Sequence, residues 1–292
     1  MKLGVVFPQT EIGNDVELIR NFAVGAEGAG FDFLAAYDHV IGHRPADPTQ
    51  WERVGPYTDS HAFHEVFVLL SFLAGITSTL ELVTEVLVLP QRQTVLVAKQ
   101  SAELQLLSSG RLRIGVGVGW NSEEYRALGE NFNDRGKRVV EQIELIRRLW
   151  KDDLVSEESA YHSLRSMALN PRPMHRPIPI WIGGSAPVAI KRAAAIADGF
   201  VFDHSITDAP AVLGELRHYL RGFHRDAEAF GFAARVQLSQ GGFEDSVAEA
   251  RAWRALGITH LSVNTMKARL PNPNLHLDLA TGFLKAWRKT YL

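Results

Sequence analysis

Short apolar runs alternate with longer segments of helical periodicity along most of the chain. Residues 3–8, 31–36 and 80–90 are short and almost continuously apolar, which is typical of strands buried on both faces. Residues 15–27 instead carry apolar side chains three and four positions apart, which predicts an amphipathic helix. The alternation predicts parallel strands joined by helices.

Eight such strand–helix units can be counted. The predicted strands are 3–8, 31–36, 80–90, 111–121, 178–182, 200–202, 236–238 and 260–263, and the predicted helices are 15–27, 62–77, 94–108, 134–150, 188–197, 209–230, 247–256 and 277–287. We therefore expect one α/β domain over 1–292, a (β/α)8 TIM barrel with an insertion at 152–177 between the fourth helix and the fifth strand. A doubly wound open sheet is the alternative, disfavoured because no dinucleotide-binding fingerprint follows any strand.

The fourth strand is unusual because glycine recurs at every second position. Gly115, Gly117 and Gly119 lie on the face opposite the apolar residues of the stretch 111–121. Missing side chains there indicate either close packing of the strand against a helix or the approach of a flat or bulky group to the backbone. The dinucleotide motif is excluded, because its third glycine would fall on Trp120 or Ser122.

Chemistry in such a barrel is expected where the strands end. Asp38 and His39 directly follow the second strand, and a histidine at that place can donate a hydrogen bond or relay a proton near neutral pH. The alternative is a histidine satisfied by neighbouring backbone. No cluster of carboxylates is found at the strand ends, which favours the holding of a large cofactor over hydrolysis.

A second candidate site follows the fifth strand. Gly183, Gly184 and Ser185 open the next helix, where backbone N–H groups and the helix dipole favour a phosphate. The competing interpretation is an ordinary turn in which Ser185 caps the helix.

Composition and charge exclude several classes of function. A net charge of −2 gives no basic field for nucleic acid or anionic membranes, and zero cysteines exclude disulfides and thiolate chemistry. The first residues show no secretory leader, and no apolar run is long enough to span a membrane, so we expect a cytoplasmic protein. The spacing of His61 and His64 matches no zinc-peptidase order, so no metal site is expected.

Helix 62–77 is apolar on nearly all sides, so a partner is expected to cover its outer face. The sequence thus predicts a homodimer through this helix. The polar, proline-containing loop 40–60 and the insertion 152–177 have the least pattern of all segments, and we expect them to form the pocket for a small organic substrate.

Three stretches resemble the luciferase-like monooxygenase superfamily, and within it the branch that uses the deazaflavin coenzyme F420. They are VLPQRQTVLVAKQ (88–100), LLSSGRLRIGVGVGWNSEEYRALGENF (106–132) and PIPIWIGGSAPVAIKRAAAIADGF (177–200). The resemblance extends to about residue 203 and implies hydride transfer between reduced F420 and an organic substrate. An FMN-dependent monooxygenase using oxygen, a non-redox barrel enzyme acting on a phosphorylated substrate and a non-catalytic cofactor-binding protein stay open as alternatives.

The resemblance also assigns roles to residues. It implies a redox ring beside His39, the catalytic residue, and a non-proline cis peptide backing that ring at Glu85–Val86, where Glu85 replaces the small residue expected. Trp120 replaces the catalytic glutamate of the sugar-phosphate members. The cofactor-binding residues implied are Asp38, His39, Thr84, Glu85, Val86, Gly117, Gly119, Trp120, Asn121, Gly183, Gly184 and Ser185.

Overall fold

A computed structural model describes residues 1–44, 57–173 and 176–290. The described residues form the strands β1 (Lys2–Val6), β2 (Phe33–Ala36), β3 (Glu81–Val88), β4 (Leu112–Gly117), β5 (Val155–Glu158), β6 (Ser163–Met167), β7 (Ile180–Gly183), β8 (Gly199–Val201), β9 (Gly231–Gln237) and β10 (His260–Asn264). Eight of them, all except β5 and β6, are parallel and close into a barrel in the order β1-β10-β9-β8-β7-β4-β3-β2. This closure confirms the predicted TIM barrel and excludes the open sheet.

Helices surround the barrel. They are α1 (Val16–Ala29), α2 (Val66–Ile76), α3 (Thr94–Leu107), α4 (Ser122–Ala127), α5 (Arg135–Lys151), α6 (Pro187–Ile196), α7 (Ala209–Gly222), α8 (Glu244–Ala255) and α9 (Leu275–Lys289). The short helix α4, directly after the glycine-rich strand, was not predicted. Among the described residues, no helix combines the length and the apolar character needed to cross a bilayer.

Local chemistry explains where α1 begins and ends. The Asp15 side chain accepts a hydrogen bond from the Glu17 amide, and Gly30 ends the helix with a left-handed φ of 86°. The apolar stripe of α1, which includes Phe22 and Ala26, is buried against the barrel.

The insertion between α5 and β7 contains regular structure that the sequence pattern did not predict. Strands β5 and β6 pair antiparallel as a hairpin, with Val155 opposite Met167. The insertion is confirmed, and its hairpin shows little apolar periodicity in the sequence because most of its side chains face solvent. His162 links the hairpin to the helices, since its Nε2 lies 2.6 Å from Thr94 Oγ1 and its Nδ1 2.5 Å from Glu141 Oε1.

The seventh barrel strand was predicted at 236–238 but spans Gly231–Gln237, and α7 ends at Gly222 rather than at residue 230. Along β9, Phe232 and Val236 face the helices, whereas Arg235 belongs to the alternating set that points into the barrel. β9 begins with Gly231 and contains the charged Arg235, and these two residues interrupt the apolar run in the sequence. The start of the strand was therefore predicted five residues too late.

The lower interior of the barrel contains a buried arginine enclosed by aromatic rings. The Arg113 guanidinium lies 4.3 Å from the Trp181 ring and 5.1 Å from the Phe33 ring, and its Nε donates to Glu81 at 3.0 Å. The His260 ring also meets Trp181 edge to face, at 4.8 Å. Burial first, and then the positive charge of Arg113, lowers the pKa of His260 to about 3.

The protein is expected to lose stability on mild acidification because of His260. A histidine whose pKa falls from 6.5 in the unfolded chain to about 3 when folded binds more protons in the unfolded state between these values. Its contribution to the free energy of unfolding is thus complete above pH 6.5 and is lost as the pH falls towards 3. From pH 7.5 to 5.5 the loss is at most about 1.4 kcal/mol. Urea unfolding at both pH values should show a smaller change for His260→Gln than for the unsubstituted protein; equal changes would contradict this assignment.

Candidate active site at the barrel mouth

The carboxyl ends of the barrel strands bring most predicted site residues to one mouth. His39 follows β2, Glu85 and Val86 lie in β3, Trp120 follows β4, and the turn 183–185 follows β7. Residues 45–56 of the predicted 40–60 lid, and 174–175 of the insertion, lie outside the described residues. The substrate pocket predicted from these two segments therefore stays a prediction.

His39 is held by a buried carboxylate. Its Nδ1 lies 3.0 Å from Glu124 Oε2, and Glu124 is only 1% exposed. With Nδ1 donating to this carboxylate, Nε2 is the ring nitrogen left to exchange a proton. No residue in the described part of the chain takes a hydrogen bond from Nε2, and the side chain keeps 11% of its surface exposed.

Glu124 is the functional residue that sequence reasoning missed. It accepts hydrogen bonds from the amide of Val40 at 2.6 Å and from Gln91 Nε2 at 3.1 Å, in addition to the contact with His39. Burial alone would raise the pKa of Glu124, but these hydrogen bonds and the His39 ring lower it below its usual value. The carboxylate therefore stays ionised and fixes both the His39 ring and the backbone that follows it.

A helix cap positions Glu124. The Asn121 side chain accepts from the amides of Glu123 and Glu124, so α4 begins immediately after the glycine-rich strand. An N-cap residue followed three positions later by glutamate is the signature of a capping box, and this spacing is the signal that could have indicated α4. Here Glu124 is directed to His39 and its neighbours.

Aromatic rings enclose His39 on several sides. Tyr57 stacks on the imidazole with ring centroids 3.9 Å apart, and Phe63 and Trp120 meet it edge to face at 5.2 and 5.9 Å. The Tyr57 hydroxyl also receives a hydrogen bond from Asn121 Nδ2 at 3.1 Å. These contacts restrict the imidazole to one orientation and shield it from water.

Asp38 serves the scaffold of the mouth. It is 2% exposed, accepts from the Val88 amide at 2.9 Å, and forms a bidentate pair with Arg92 at 2.6 and 3.2 Å. Arg92 also donates to Glu65 at 2.8 Å. Asp38 therefore ties the end of β2 to the end of β3, which fixes the position of the next residue, His39.

The glycines of β4 make room for the neighbouring strand. The Glu85–Val86 bond is cis, as predicted, and the register between β3 and β4 shifts over Thr84–Leu87. A Cβ on Gly115 would overlap the Thr84 carbonyl oxygen, and one on Gly117 would overlap Val86. Residues of β3 therefore fill the space beside these two glycines, and the cofactor contact predicted for Gly117 stays a prediction.

Val86 forms the floor of the mouth. It is half-buried, and a Cβ added to Gly183 on β7 would lie 3.0 Å from its Cγ1. Gly119 has a left-handed φ of 67°, and a Cβ added to it would lie 2.6 Å from Val88 Cγ1. The floor thus consists of one small apolar side chain that lies beside Gly117 and Gly183 and packs on the buried cluster of Trp181, Val201 and Ala233.

Gly117→Ala is expected to lower the free energy of unfolding by about 1–3 kcal/mol, because the new methyl overlaps the stiff, β-branched side chain of Val86. Removing that obstacle with Val86→Ala should restore most of the loss, as measured by urea unfolding. Gly214→Ala is the matched control, since a Cβ there meets no atom within 4 Å on α7. A double variant, Gly117→Ala with Val86→Ala, that is less stable than Gly117→Ala alone would contradict the packing described.

The turn after β7 leaves a helix terminus open. Helix α6 begins at Pro187 with Ala186 as N-cap and no side-chain capping bond, so Ser185 is not the cap that the alternative interpretation required. Ser185 is exposed, and its carbonyl oxygen lies 3.3 Å from His204 Nε2. Pro187 has no N–H and the Ala189 amide donates to the Ala186 carbonyl at 2.8 Å, so within this first turn the Val188 amide is the one left for an anion.

The other histidines considered from the sequence have protein partners. His61 Nδ1 accepts from the Thr58 amide at 2.9 Å, and His64 Nε2 donates to the Gly13 carbonyl at 3.0 Å. The described ranges contain no group of three or more His, Cys, Asp and Glu side chains arranged to hold a metal ion.

Comparison with known proteins gives consistent matches. A family model described as luciferase-like monooxygenase matches residues 1–287. An F420-dependent glucose-6-phosphate dehydrogenase of Kineococcus radiotolerans is 29% identical over 256 residues, which are 82% of this chain and 69% of the relative. An FMNH2-dependent dimethylsulfone monooxygenase of Pseudomonas putida is 29% identical over 208 residues, 70% of this chain and 53% of the relative.

Among solved structures, an F420-dependent secondary alcohol dehydrogenase in complex with an F420-acetone adduct superimposes with a TM-score of 0.82. The match covers 98% of this chain and 99% of the other at 17% sequence identity. At that identity the likeness establishes the barrel fold.

Proposed function

The chain belongs to the luciferase-like monooxygenase family, and from this premise we propose that it is an oxidoreductase that transfers hydride from reduced F420 to an organic substrate at the barrel mouth. The observation that carries the proposal is His39, held by buried Glu124 through Nδ1 at the rim of the mouth. Family membership supports a flavin or deazaflavin cofactor in general, and the Asp38–His39 pair favours the deazaflavin.

The residues of the mouth fit a flat ring with a phosphate-bearing side chain. Val86 and the glycines around it offer a small apolar surface against which a ring can lie. The turn after Gly183 and Gly184 and the Val188 amide at the uncapped start of α6 can face a phosphate. Thr84, by contrast, is fully buried and its hydroxyl donates to the Gly115 carbonyl, so it supports the floor from below.

When bound, the deazaflavin supplies hydride transfer. The protein orients the cofactor and the substrate, and it exchanges the proton with the substrate. His39 Nε2 would give or take the proton at the reacting end of the substrate, while Glu124 holds the imidazole and Tyr57 and Trp120 exclude water around it. Asp38 acts through the backbone of β2 and is a positioning residue.

The second candidate is an FMN-dependent monooxygenase, which the relative from Pseudomonas putida favours. Fluorescence titration of the apoprotein with F420 and with FMN separates the two. We expect F420 to bind at least about tenfold more tightly than FMN. Tighter FMN binding together with oxygen uptake in the presence of reduced FMN would replace the proposal by this alternative, and binding of neither would refute both.

The substrate proposed is not a sugar phosphate. Trp120, packed edge to face on His39 and Tyr57, occupies the place of the glutamate that the resemblance assigns to the sugar-phosphate members. An aromatic side chain there favours an apolar group of the substrate over a polyhydroxylated one.

We further propose a homodimer formed through α2. Val68 on this helix is 70% exposed and Phe72 is half-buried, so an apolar face remains uncovered in the single chain. Sedimentation at micromolar concentration should show a dimer, and Val68→Glu should shift it towards monomer. Val188→Glu, at a similarly exposed valine on α6, should leave the dimer intact. A monomeric unsubstituted protein would refute the proposal.

A further inference from the structure

An ion pair crosses the upper interior of the barrel. Glu85 on β3 reaches Arg235 on β9, with Oε1 3.4 Å from Nη1, and these strands lie opposite each other in the eight-stranded ring. Ser262, which pairs with Arg235 in the register of β10 and β9, also lies 3.4 Å from the carboxylate. The proton relay at His39 uses none of these groups.

The Arg235 guanidinium has N–H groups that do not donate to Glu85. Its side chain is 31% exposed, whereas that of Glu85 is 5% exposed, so the guanidinium is the end of the pair that ligands can reach. Within the described ranges, Glu85 is the one acceptor that the guanidinium contacts. The remaining N–H groups are therefore available to a ligand in the mouth.

Tyr37 supplies a second donor next to the guanidinium. Arg235 Cζ lies 5.5 Å from the centre of the Tyr37 ring, and the Tyr37 hydroxyl accepts a hydrogen bond from Asn264 Nδ2 at 3.4 Å. No described residue accepts the hydroxyl's own hydrogen. Burial raises the pKa of Tyr37, so the phenol stays protonated and remains a donor.

The charges around these donors select the kind of oxygen that fits. Burial raises the pKa of Glu85 in spite of Arg235, and Asp203, an exposed carboxylate after β8, adds negative potential at Arg235. Arg113 also acts on Glu85 but is paired with Glu81. Whether Glu85 is protonated or ionised, the charges of Glu85, Arg235, Asp203 and the Arg113–Glu81 pair sum to zero or to −1. Two donors without net positive charge favour an uncharged acceptor over a carboxylate or phosphate.

We propose that Arg235 and Tyr37 form a binding site for an uncharged acceptor oxygen, a carbonyl or amide oxygen of a ligand in the mouth, and that Glu85 positions Arg235 for it. This extends the proposed function, on which it rests only in taking the mouth as the ligand site. The oxygen belongs either to the substrate or to the cofactor ring, and the experiment distinguishes the two.

The test measures binding of three small probes to the apoprotein by saturation-transfer NMR: acetophenone, benzoate and toluene. We expect acetophenone to bind more tightly than either of the others. Arg235→Gln and Tyr37→Phe should each lower the affinity for acetophenone by about three- to tenfold, because each removes one donor, and should leave toluene binding unchanged. Glu85→Gln should also lower the affinity for acetophenone, because it weakens the contact that positions Arg235.

Arg251→Gln, which removes an exposed arginine from the outer helix α8, is the matched control and should change nothing. Acetophenone affinity unaltered in Arg235→Gln and Tyr37→Phe, a parallel loss of toluene binding, or preferential binding of benzoate would each overturn the proposal. Should Arg235→Gln fail to fold, Tyr37→Phe still decides it, since that substitution removes a single hydroxyl.

Saturating F420 then identifies the source of the oxygen. If acetophenone still binds beside F420, the site receives a substrate oxygen; if F420 displaces it and Tyr37→Phe weakens F420, the site receives an oxygen of the ring. Because the probe measurements need no cofactor, failure of F420 and FMN to bind would refute the proposed function and leave this test intact.

Discussion

Replacing His39 by alanine is expected to lower turnover more than tenfold while leaving the affinity for F420 largely intact. Among the described residues at the rim of the mouth, the His39 imidazole combines a fixed orientation, through Glu124, with a ring nitrogen, Nε2, that no protein group occupies and that can exchange a proton. Loss of a positioned general acid or base costs about 10²- to 10⁴-fold in model cases. The measurement is the rate of oxidation of reduced F420 by the organic compound, chosen from a panel, that the unsubstituted enzyme reduces fastest.

The control is His218→Ala, which removes an exposed histidine from α7 and should leave the rate unchanged. Fluorescence titration of both variants with F420 verifies that the cofactor still binds. An unchanged rate in His39→Ala would remove this residue from the mechanism. A rate lost in parallel with cofactor affinity would instead make it a binding residue.

The second large effect is expected for Glu124→Gln, which should reduce turnover about tenfold or more. The carboxylate accepts from His39, from the Val40 amide and from Gln91, and an amide nitrogen in either oxygen position would face a donor. The imidazole would then lose the contact that fixes its orientation.

A double variant separates this role from general damage. If Glu124 acts through His39, then Glu124→Gln should cost little further turnover once His39 is alanine, because coupled groups are not additive. Rates of the two single variants and the double variant complete the cycle. Independent effects that multiply in the double variant would contradict the coupling.

The fold could be predicted because the barrel repeats one simple pattern eight times. Each strand is apolar towards the helices, and most helices carry one apolar stripe, so local periodicity shows both. The errors fall where the barrel interior departs from that rule and in the hairpin outside the barrel. Arg235 and Gly231 interrupt β9, and the hairpin β5–β6 has one buried residue, Val155, among its paired positions.

The site could be predicted only in part, because its residues come from distant positions in the chain. His39 was found from its place after β2, but its partner Glu124 lies 85 positions later on a helix of six residues. Asp38 was assigned to the cofactor, although its carboxylate is bound by Arg92, 54 positions away. No local pattern encodes such pairings; the barrel closure creates them.

The glycines of β4 show the same limit of prediction from the sequence. Alternating glycines correctly indicate that something approaches the backbone of β4. The sequence could not distinguish a bound ring from a neighbouring side chain, and the structure shows Val86 in that space. The ring proposed here would lie on Val86, one layer further from the glycines.

The decisive measurement is a crystal structure of the protein soaked with F420. We expect the deazaflavin ring in the barrel mouth, resting on Val86, with His39 Nε2 facing the reacting side and the phosphate at the turn before α6 and the Val188 amide. Density for the ring at any other place on the molecule, or a ring in the mouth that contacts neither Val86 nor His39, would contradict it.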